Sequence, residues 1–377
     1  MAKLGIGVIG CGNIAATYLR NAALFPGVEI RACADLSAEA AARRAAEFGI
    51  RAASIDALLA SDDIDLVLNL TVPNAHFDVS MAALSAGKHV FTEKPLAATA
   101  ALGRQLVEEA RRRGLSIGSA PDTFLGAAGR LARRLIDDGA IGKVVTGSAF
   151  MMTRGMEHWH PSPQFYYQPG GGPVLDMGPY YVTMLVNLLG PARRIMAMNT
   201  TGEPERLITA PGPTSGTRFR VGTPTTVTAL IEFASGATVV AGMSWDVFRH
   251  NNHPIELHGT EGSLSLPDPD TFGGKVAISR RGAEWEEHET AANLHGRFNW
   301  PYDAPDRANY RMLGLADLAA ALEHGRPARA SGALALHVLE VLEGMLDASL
   351  SGTAVHLPER NVRPSPLSEA EAEVLGG

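Results

Sequence analysis

Two domains are what this 377-residue sequence predicts: an α/β domain built on a doubly wound parallel sheet, then an α+β domain built on a large, open, mainly antiparallel sheet. Three observations carry that expectation. The first 120 residues alternate short buried-strand runs with alanine-rich stretches of helical spacing, the pattern of βαβ units. After about residue 124, strand-like runs alternate apolar with polar side chains and meet across turn dipeptides, as antiparallel pairs do. The chain is also longer than one ordinary core accommodates. We place the first domain at 1–123 and the second at 124–364, with 365–377 as an acidic tail.

The runs at 4–9, 28–34, 66–70, 89–91 and 115–117 read as buried strands. Ser37 opens a helix over 38–48 that Gly49 closes, and Thr99 opens one that ends at Gly114. The triplet Arg111-Arg112-Arg113 suits the negative end of that helix. Ser61-Asp62-Asp63 is the loop leading into 66–70. The second domain begins with a helix over 127–137 and an alternating strand over 144–152. Strands 226–233 and 238–245 join through Ser235-Gly236, and 254–258 runs towards the turn Glu261-Gly262. The Pro-, Gly- and Thr-rich stretch 200–224 is an excursion between strands, and helices over 308–323 and 333–350 complete the domain.

Composition narrows the function classes. With 46% hydrophobic and 19% charged residues the chain is of globular type, and no apolar run approaches the roughly 18 residues of a membrane span. The apolar stretch after Met1 is too short for a signal peptide, so the cytoplasm is the expected compartment. A net charge of -7 offers no basic field for nucleic acid. Cys11 and Cys33 lack metal-ligand spacing and are expected as thiols.

Chemistry begins at Gly10-Cys11-Gly12-Asn13-Ile14-Ala15, between a strand and a helix. A tight turn needs Gly10, close approach of a pyrophosphate needs Gly12, and packing of the helix against the strand needs a residue as small as Ala15. This is the dinucleotide-binding Rossmann pattern. Asp35 ends the next strand, where its carboxylate can accept from both ribose hydroxyls, and a bare Asp35 followed by Leu36 would repel a 2′-phosphate. NAD is therefore expected over NADP, held by Gly10, Gly12, Asn13, Ile14, Asp35 and Leu36. Open parallel sheets bind ligands beyond the carboxyl ends of their strands. That rule brings Thr71-Val72-Pro73-Asn74-Ala75-His76 and Glu93-Lys94-Pro95 to the nicotinamide half, and adds Thr71, Pro73, Asn74, His76, Glu93 and Lys94 to the cofactor set. His76 has a second reading as a solvated first-turn helix residue. A cis bond before Pro95 would aim Lys94 back over the strand end.

The residues Gly10-x-Gly12-x-x-Ala15, Asp35, Thr71-Val72-Pro73-Asn74-x-His76 and Glu93-Lys94-Pro95 resemble the Gfo/Idh/MocA family, the relatives of glucose–fructose oxidoreductase and inositol dehydrogenase. The resemblance continues through Ile141-Gly142, 170–190 and 256–265 and covers nearly the whole chain. It implies an NAD-dependent oxidoreductase with Lys94 beside the substrate hydroxyl and the nicotinamide. It also implies an Asp-x-x-x-His pair whose histidine accepts the proton, but this chain reads Asp176-Met177-Gly178-Pro179-Tyr180. Spacing of four still puts Asp176 and Tyr180 on one helical face. A phenol of ordinary pKa near 10 needs a neighbouring cation, here Lys94, to accept a proton near neutrality. The structural alternatives are a half-buried aromatic for Tyr180 and a helix N-cap for Asp176. Relatives pair the open face of the second sheet, which implies a homodimer or homotetramer through strands 226–233 and 238–245.

Two departures concern the substrate. Where the family usually has a basic residue, this chain reads Ser119-Ala120-Pro121-Asp122-Thr123-Phe124, with acid and hydroxyl groups suited to a polyol. The loop Glu157-His158-Trp159-His160, leading to Gln164-Phe165-Tyr166-Tyr167, carries the stacking rings and polar groups of a carbohydrate site. Glu157, His158 and His160 alternate in an irregular loop, a poor metal geometry, so no metal is expected. The expected catalytic set is Lys94, Tyr180 and Asp176, and the expected substrate set is Asp122, Thr123, Phe124, His158, Trp159 and His160. The expected reaction moves a hydride between NAD and a secondary hydroxyl of a sugar, polyol or glycoside. The resemblance also admits a redox-neutral NAD-dependent glycosidase, which oxidises C3 transiently, eliminates, adds water and reduces again. A non-enzymatic NAD sensor is a third reading, against which the retention of Lys94 and Asp176 argues.

Overall fold

Short, mainly apolar runs form β1 (Leu4–Ile9), β2 (Val28–Ala34), β4 (Leu66–Asn69), β5 (His89–Thr92) and β6 (Ile117–Ser119), and the exposed pair Arg51–Ala52 adds β3 at the edge. In this computed structural model, which describes residues 3–300 and 307–377, the six strands are parallel in the order β3-β2-β1-β4-β5-β6. Met1 and Ala2, where the N-terminal stretch begins, lie outside the described residues. The intervening helices are α1 (Asn13–Asn21), α2 (Ala38–Phe48), α3 (Ile55–Leu59), α4 (His76–Ser85) and α5 (Ala100–Arg113). Their ends follow from side chains: Ser37 and Thr99 accept the N–H groups of Ala40 and Leu102, while Gly49 and Gly114 close their helices in the left-handed region. The strand order reverses between β1 and β4, so the carboxyl ends of β1, β4 and β5 open on one crevice.

The second sheet has nine strands: β7 (Val144–Met152), β8 (Ala192–Thr200), β11 (Thr226–Phe233), β12 (Thr238–Ser244), β13 (Ile255–Gly259), β14 (Gly262–Leu266), β15 (Lys275–Arg280), β16 (Glu286–Glu289) and β17 (Val355–His356). Their order is β16-β15-β14-β13-β7-β12-β11-β8-β17, and every pair is antiparallel except β7 with β12. The excursion after β8 carries a small hairpin, β9 (Glu205–Leu207) with β10 (Arg218–Arg220). Alternation sets the core: Val227, Ala229 and Ile231 of β11 are buried on the helix side, while Leu230 faces outward. Helices α6 (Ala127–Asp137), α7 (Pro173–Leu189), α8 (Leu313–His324) and α9 (Gly332–Ser351) complete the domain. A side chain at Gly178 would meet Leu342 at 2.5 Å, so α7 lies close against α9 at that point.

Two elements differ from the sequence reading. The helix expected over 308–323 begins only at Leu313, because Met312 stands at φ 113 and Asn21 of α1 holds the preceding backbone through Asn309 and Arg311. The acidic tail is an ordered helix, α10 (Glu369–Leu375), opened by a capping box of Ser368 and Glu371 and docked by Ala372 and Leu375. Glu371 also pairs with Arg329 at 2.6 Å, which ties this acidic segment to the body. Among the described residues no helix is long and apolar enough to cross a membrane.

Candidate active site

Strand β1 delivers the glycine turn. Gly10 has φ 102, and a Cβ there would come within 2.6 Å of the Leu70 backbone, so only glycine fits between the ends of β1 and β4. Gly12 is different: nothing lies within 4 Å of the Cβ position, and α1 starts there without a side-chain cap. An uncapped helix N-terminus over open space suits a pyrophosphate, and Ala15 is buried where the helix meets the sheet. Asp35 accepts from the Cys11 N–H at 2.7 Å and the Ser37 N–H at 2.9 Å, which fixes its carboxylate at the end of β2, beside an exposed Leu36. Arg44 lies alongside but is committed to the Gly12 carbonyl and Glu47. These residues fit NAD. NAD is expected to bind at least about tenfold more tightly than NADP, the 1.4 kcal/mol that one unfavourable charge contact supplies, with Asp35→Ala narrowing the gap. Equal affinities in a fluorescence titration would refute this.

The turn after β5 carries the proposed chemistry. Tyr18 donates to Glu93 at 2.7 Å and the Lys94 N–H donates to the other Glu93 oxygen at 2.9 Å, so the buried Glu93 holds the turn from inside. The Lys94–Pro95 bond is cis. Lys94 Nζ crosses to α7, donating to the Asp176 carbonyl at 2.6 Å and its Oδ1 at 3.0 Å, and lies 5.4 Å from the centre of the Tyr180 ring. The three residues expected to act together are therefore adjacent. Burial would lower the Lys94 pKa, but Asp176, Tyr180 and Glu93 outweigh it and the net direction is upward. Tyr180 moves upward as well, through burial first and then Asp270, with Lys94 and Arg311 opposing. The expectation that Lys94 brings this phenol down towards neutrality is thus corrected: burial and Asp270 outweigh Lys94 and Arg311, and the net direction is upward.

Other predicted residues take different tasks. His76 is neither solvated nor open to the crevice; it is fully buried, with Nδ1 2.7 Å from the Pro95 carbonyl and Nε2 3.0 Å from that of Thr71. It ties the two turns together, and since burial lowers its pKa the neutral ring donates to only one carbonyl at a time. Asp122 is 1% exposed and accepts from the N–H groups of Met312 and Gly314, at 3.1 and 2.9 Å. It caps α8, with burial raising its pKa to about 6, and Thr123 and Phe124 are buried beside it. None of these three presents its side chain to a sugar here, because the turn after β6 packs inward. Thr71 Oγ1 donates to Asn69 at 2.7 Å, while Asn74 is exposed on the single turn Pro73–Ala75 ahead of α4.

The loop after β7 is anchored at its base. Glu157 accepts from Arg206 at 2.9 Å and from the Tyr167 hydroxyl, and His160 Nδ1 accepts the Ser162 N–H. Glu157 and one nitrogen of His160 are thereby engaged, and among the described residues no group of three or more acidic, histidine or cysteine side chains is placed to hold a metal. At its tip Trp159 and Tyr166 flank His160 with ring centres 5.4 Å away, and Phe165 lies over Tyr166 at 4.1 Å. Trp159 and Phe165 remain exposed. Burial and the charge of Asp176 push the Tyr166 hydroxyl up from its ordinary pKa, with Lys94 opposing. Sequence reasoning missed the last member: Arg311 Nη2 donates to the Tyr180 hydroxyl at 3.3 Å and to Asp270 at 2.8 Å. Arg311 and Asp270 both lie far along the chain from Tyr180, in segments without a motif.

Residues 4–119 match the sequence profile of the oxidoreductase family with an NAD-binding Rossmann fold, and residues 130–265 match the GFO/IDH/MocA C-terminal domain. The 1,5-anhydro-D-fructose reductase of Ensifer adhaerens is 28% identical over 356 residues, 93% of this chain and 98% of that protein. The dTDP-3,4-didehydro-2,6-dideoxy-alpha-D-glucose 3-reductase of Streptomyces violaceoruber is 35% identical, over 70% of this chain and 72% of its own length. In fold, a solved NAD binding oxidoreductase from Klebsiella pneumoniae matches with a TM-score of 0.82 at 24% identity, covering 95% of this chain and 100% of that one. With the glycine turn, the Glu93-Lys94-Pro95 turn and the nine-stranded sheet in place, the chain belongs to the Gfo/Idh/MocA family of oxidoreductases and carries its NAD-binding Rossmann domain.

Proposed function

We propose that the protein interconverts a secondary alcohol and a ketone on a sugar ring, and that its groups are set for the ketone-reducing direction. The observation that carries this reading is the pairing of Lys94 with Asp176 beside the phenol of Tyr180. Bound NAD(H), held by the Gly10–Gly12 turn, the start of α1 and Asp35, supplies the hydride chemistry. Lys94 keeps one N–H free once Asp176 has taken two, and a carbonyl oxygen in the cleft would accept it. Tyr180, protonated through neutrality, donates the proton that such an oxygen needs. Trp159, Phe165 and Tyr166 offer ring faces against which the apolar face of a sugar can stack, with His160 in contact with all three. Two of the relatives described above are named as sugar reductases, which favours the same substrate class.

The test is a panel of keto-sugars with NADH, of sugars and polyols with NAD, and of aryl glycosides, followed by nicotinamide absorbance and product chromatography. NADH consumption with a keto-sugar is the expected result. Release of an aglycone with no net change in nicotinamide would replace this reading with redox-neutral glycoside cleavage, and binding without turnover would replace it with sensing.

We also propose that a second copy covers the open face of the nine-stranded sheet. Met196, Leu230 and Val240 are register partners across β8, β11 and β12 and form an exposed apolar row, with Met198 beside it. Light scattering is expected to give a dimer or tetramer, and Leu230→Glu is expected to lower the mass. A monomeric wild type would refute the proposal.

A further inference from the structure

We propose that Arg311, a positioning residue pinned between the two domains, aims the phenolic proton of Tyr180 into the cleft and so makes this tyrosine a proton donor. The inference rests on the reading of Tyr180 given above and goes beyond it by naming what sets its direction. A guanidinium only donates, so the Tyr180 oxygen must accept from Arg311 Nη2, and its own proton has to point elsewhere. At 3.3 Å the bond is long, and the same Nη2 is held more closely by Asp270 at 2.8 Å. That sharing has a purpose. An unpaired arginine against the phenol would favour the phenolate, which cannot donate, whereas an arginine neutralised by Asp270 orients the hydroxyl without ionising it.

The surrounding structure is built to hold Arg311 in place. The Asn21 side chain, near the end of α1, donates to the carbonyls of Asn309 and Arg311, both at 3.1 Å. Asp122 then fixes the next residue, Met312, in a left-handed conformation that a methionine seldom adopts. The buried carboxylate that sequence reasoning gave to a polyol therefore acts through Arg311 on the phenol. The charged and titratable groups facing Tyr180 are Lys94 and Glu93 from the β5 turn, Asp270 from the loop after β14, and Arg311 itself.

The test needs no substrate and separates this inference from the proposed reaction. Phenolate absorbance is titrated against alkaline pH, with Tyr180→Phe subtracted to isolate one tyrosine. Asp270→Asn releases Arg311 from its carboxylate and is expected to bring the ionisation of Tyr180 to clearly lower pH. Adding Arg311→Met to Asp270→Asn is expected to abolish that early step. An unchanged titration in Asp270→Asn, or an early step that survives the loss of Arg311, overturns the proposal even if a sugar substrate is found. With a reducible substrate, Arg311→Met is expected to lower kcat by about 10- to 100-fold, the scale of one hydrogen bond to a charged group, at nearly constant KM. Arg311→Lys is expected to restore part of it. A loss confined to KM, or no rescue by lysine, would reduce Arg311 to a structural part.

Discussion

Lys94→Ala is expected to lower turnover by about 10²- to 10⁴-fold, the scale of positioned acid–base and electrostatic help, while NADH still binds. Two of the three ammonium donors are spent on the Asp176 carbonyl and carboxylate, so the third is directed rather than free to wander. Alanine removes that donor and the charge, and it leaves Asp176 without its cation in a side-chain environment only 19% exposed. Arginine would not substitute, because its planar fork cannot present one donor from the same point. Steady-state kinetics beside an NADH fluorescence titration make the measurement. Near-normal turnover in a folded, NADH-binding Lys94→Ala protein would remove Lys94 from the mechanism.

Tyr180→Phe is expected to cost a similar factor, and the double variant little more than either single one, because the two groups act on one oxygen. Multiplied losses would mean independent roles. The pH dependence follows from the shifts. Burial and Asp270 raise Tyr180, and Asp176 with its neighbours raises Lys94 against the pull of burial, so both remain protonated across neutrality. Ketone reduction uses the protonated forms, so its rate is expected to be flat through neutral pH and to fall only under alkaline conditions. Alcohol oxidation needs Tyr180 to have lost its proton, so its rate is expected to climb with pH in the same range. An oxidation rate that falls as pH rises would reverse the assignment of acid and base.

How much of this was legible beforehand depended on how local the signal was. The glycine turn, Asp35 and the Glu93-Lys94-Pro95 turn were readable because each sits at the end of a strand, and the parallel sheet brings strand ends to one edge. The pairing of Asp176 with Tyr180 was readable because helical spacing of four is a property of the backbone. Asp122 was misread because its type and place suited a sugar, whereas its partners, the N–H groups of Met312 and Gly314, lie about 190 residues away, as the separations in chain position show. His76 was left between two readings for the same reason, its carbonyl partners being set by the approach of two turns.

The sequence by itself determined the parallel and the mainly antiparallel sheet, the NAD-binding glycine turn and the choice of Lys94 and Tyr180 as the residues proposed for the chemistry. These follow from periodicity, glycine placement and motif spacing, which act over a few residues. Only the tertiary structure brought out the upward direction of the Tyr180 pKa and the contact of Arg311 with its hydroxyl. Burial and the charges of Lys94, Asp270 and Arg311 meet at that phenol from separate segments of the chain. A pKa answers to the sum of desolvation and neighbouring charge in space, and no spacing along a sequence encodes that sum.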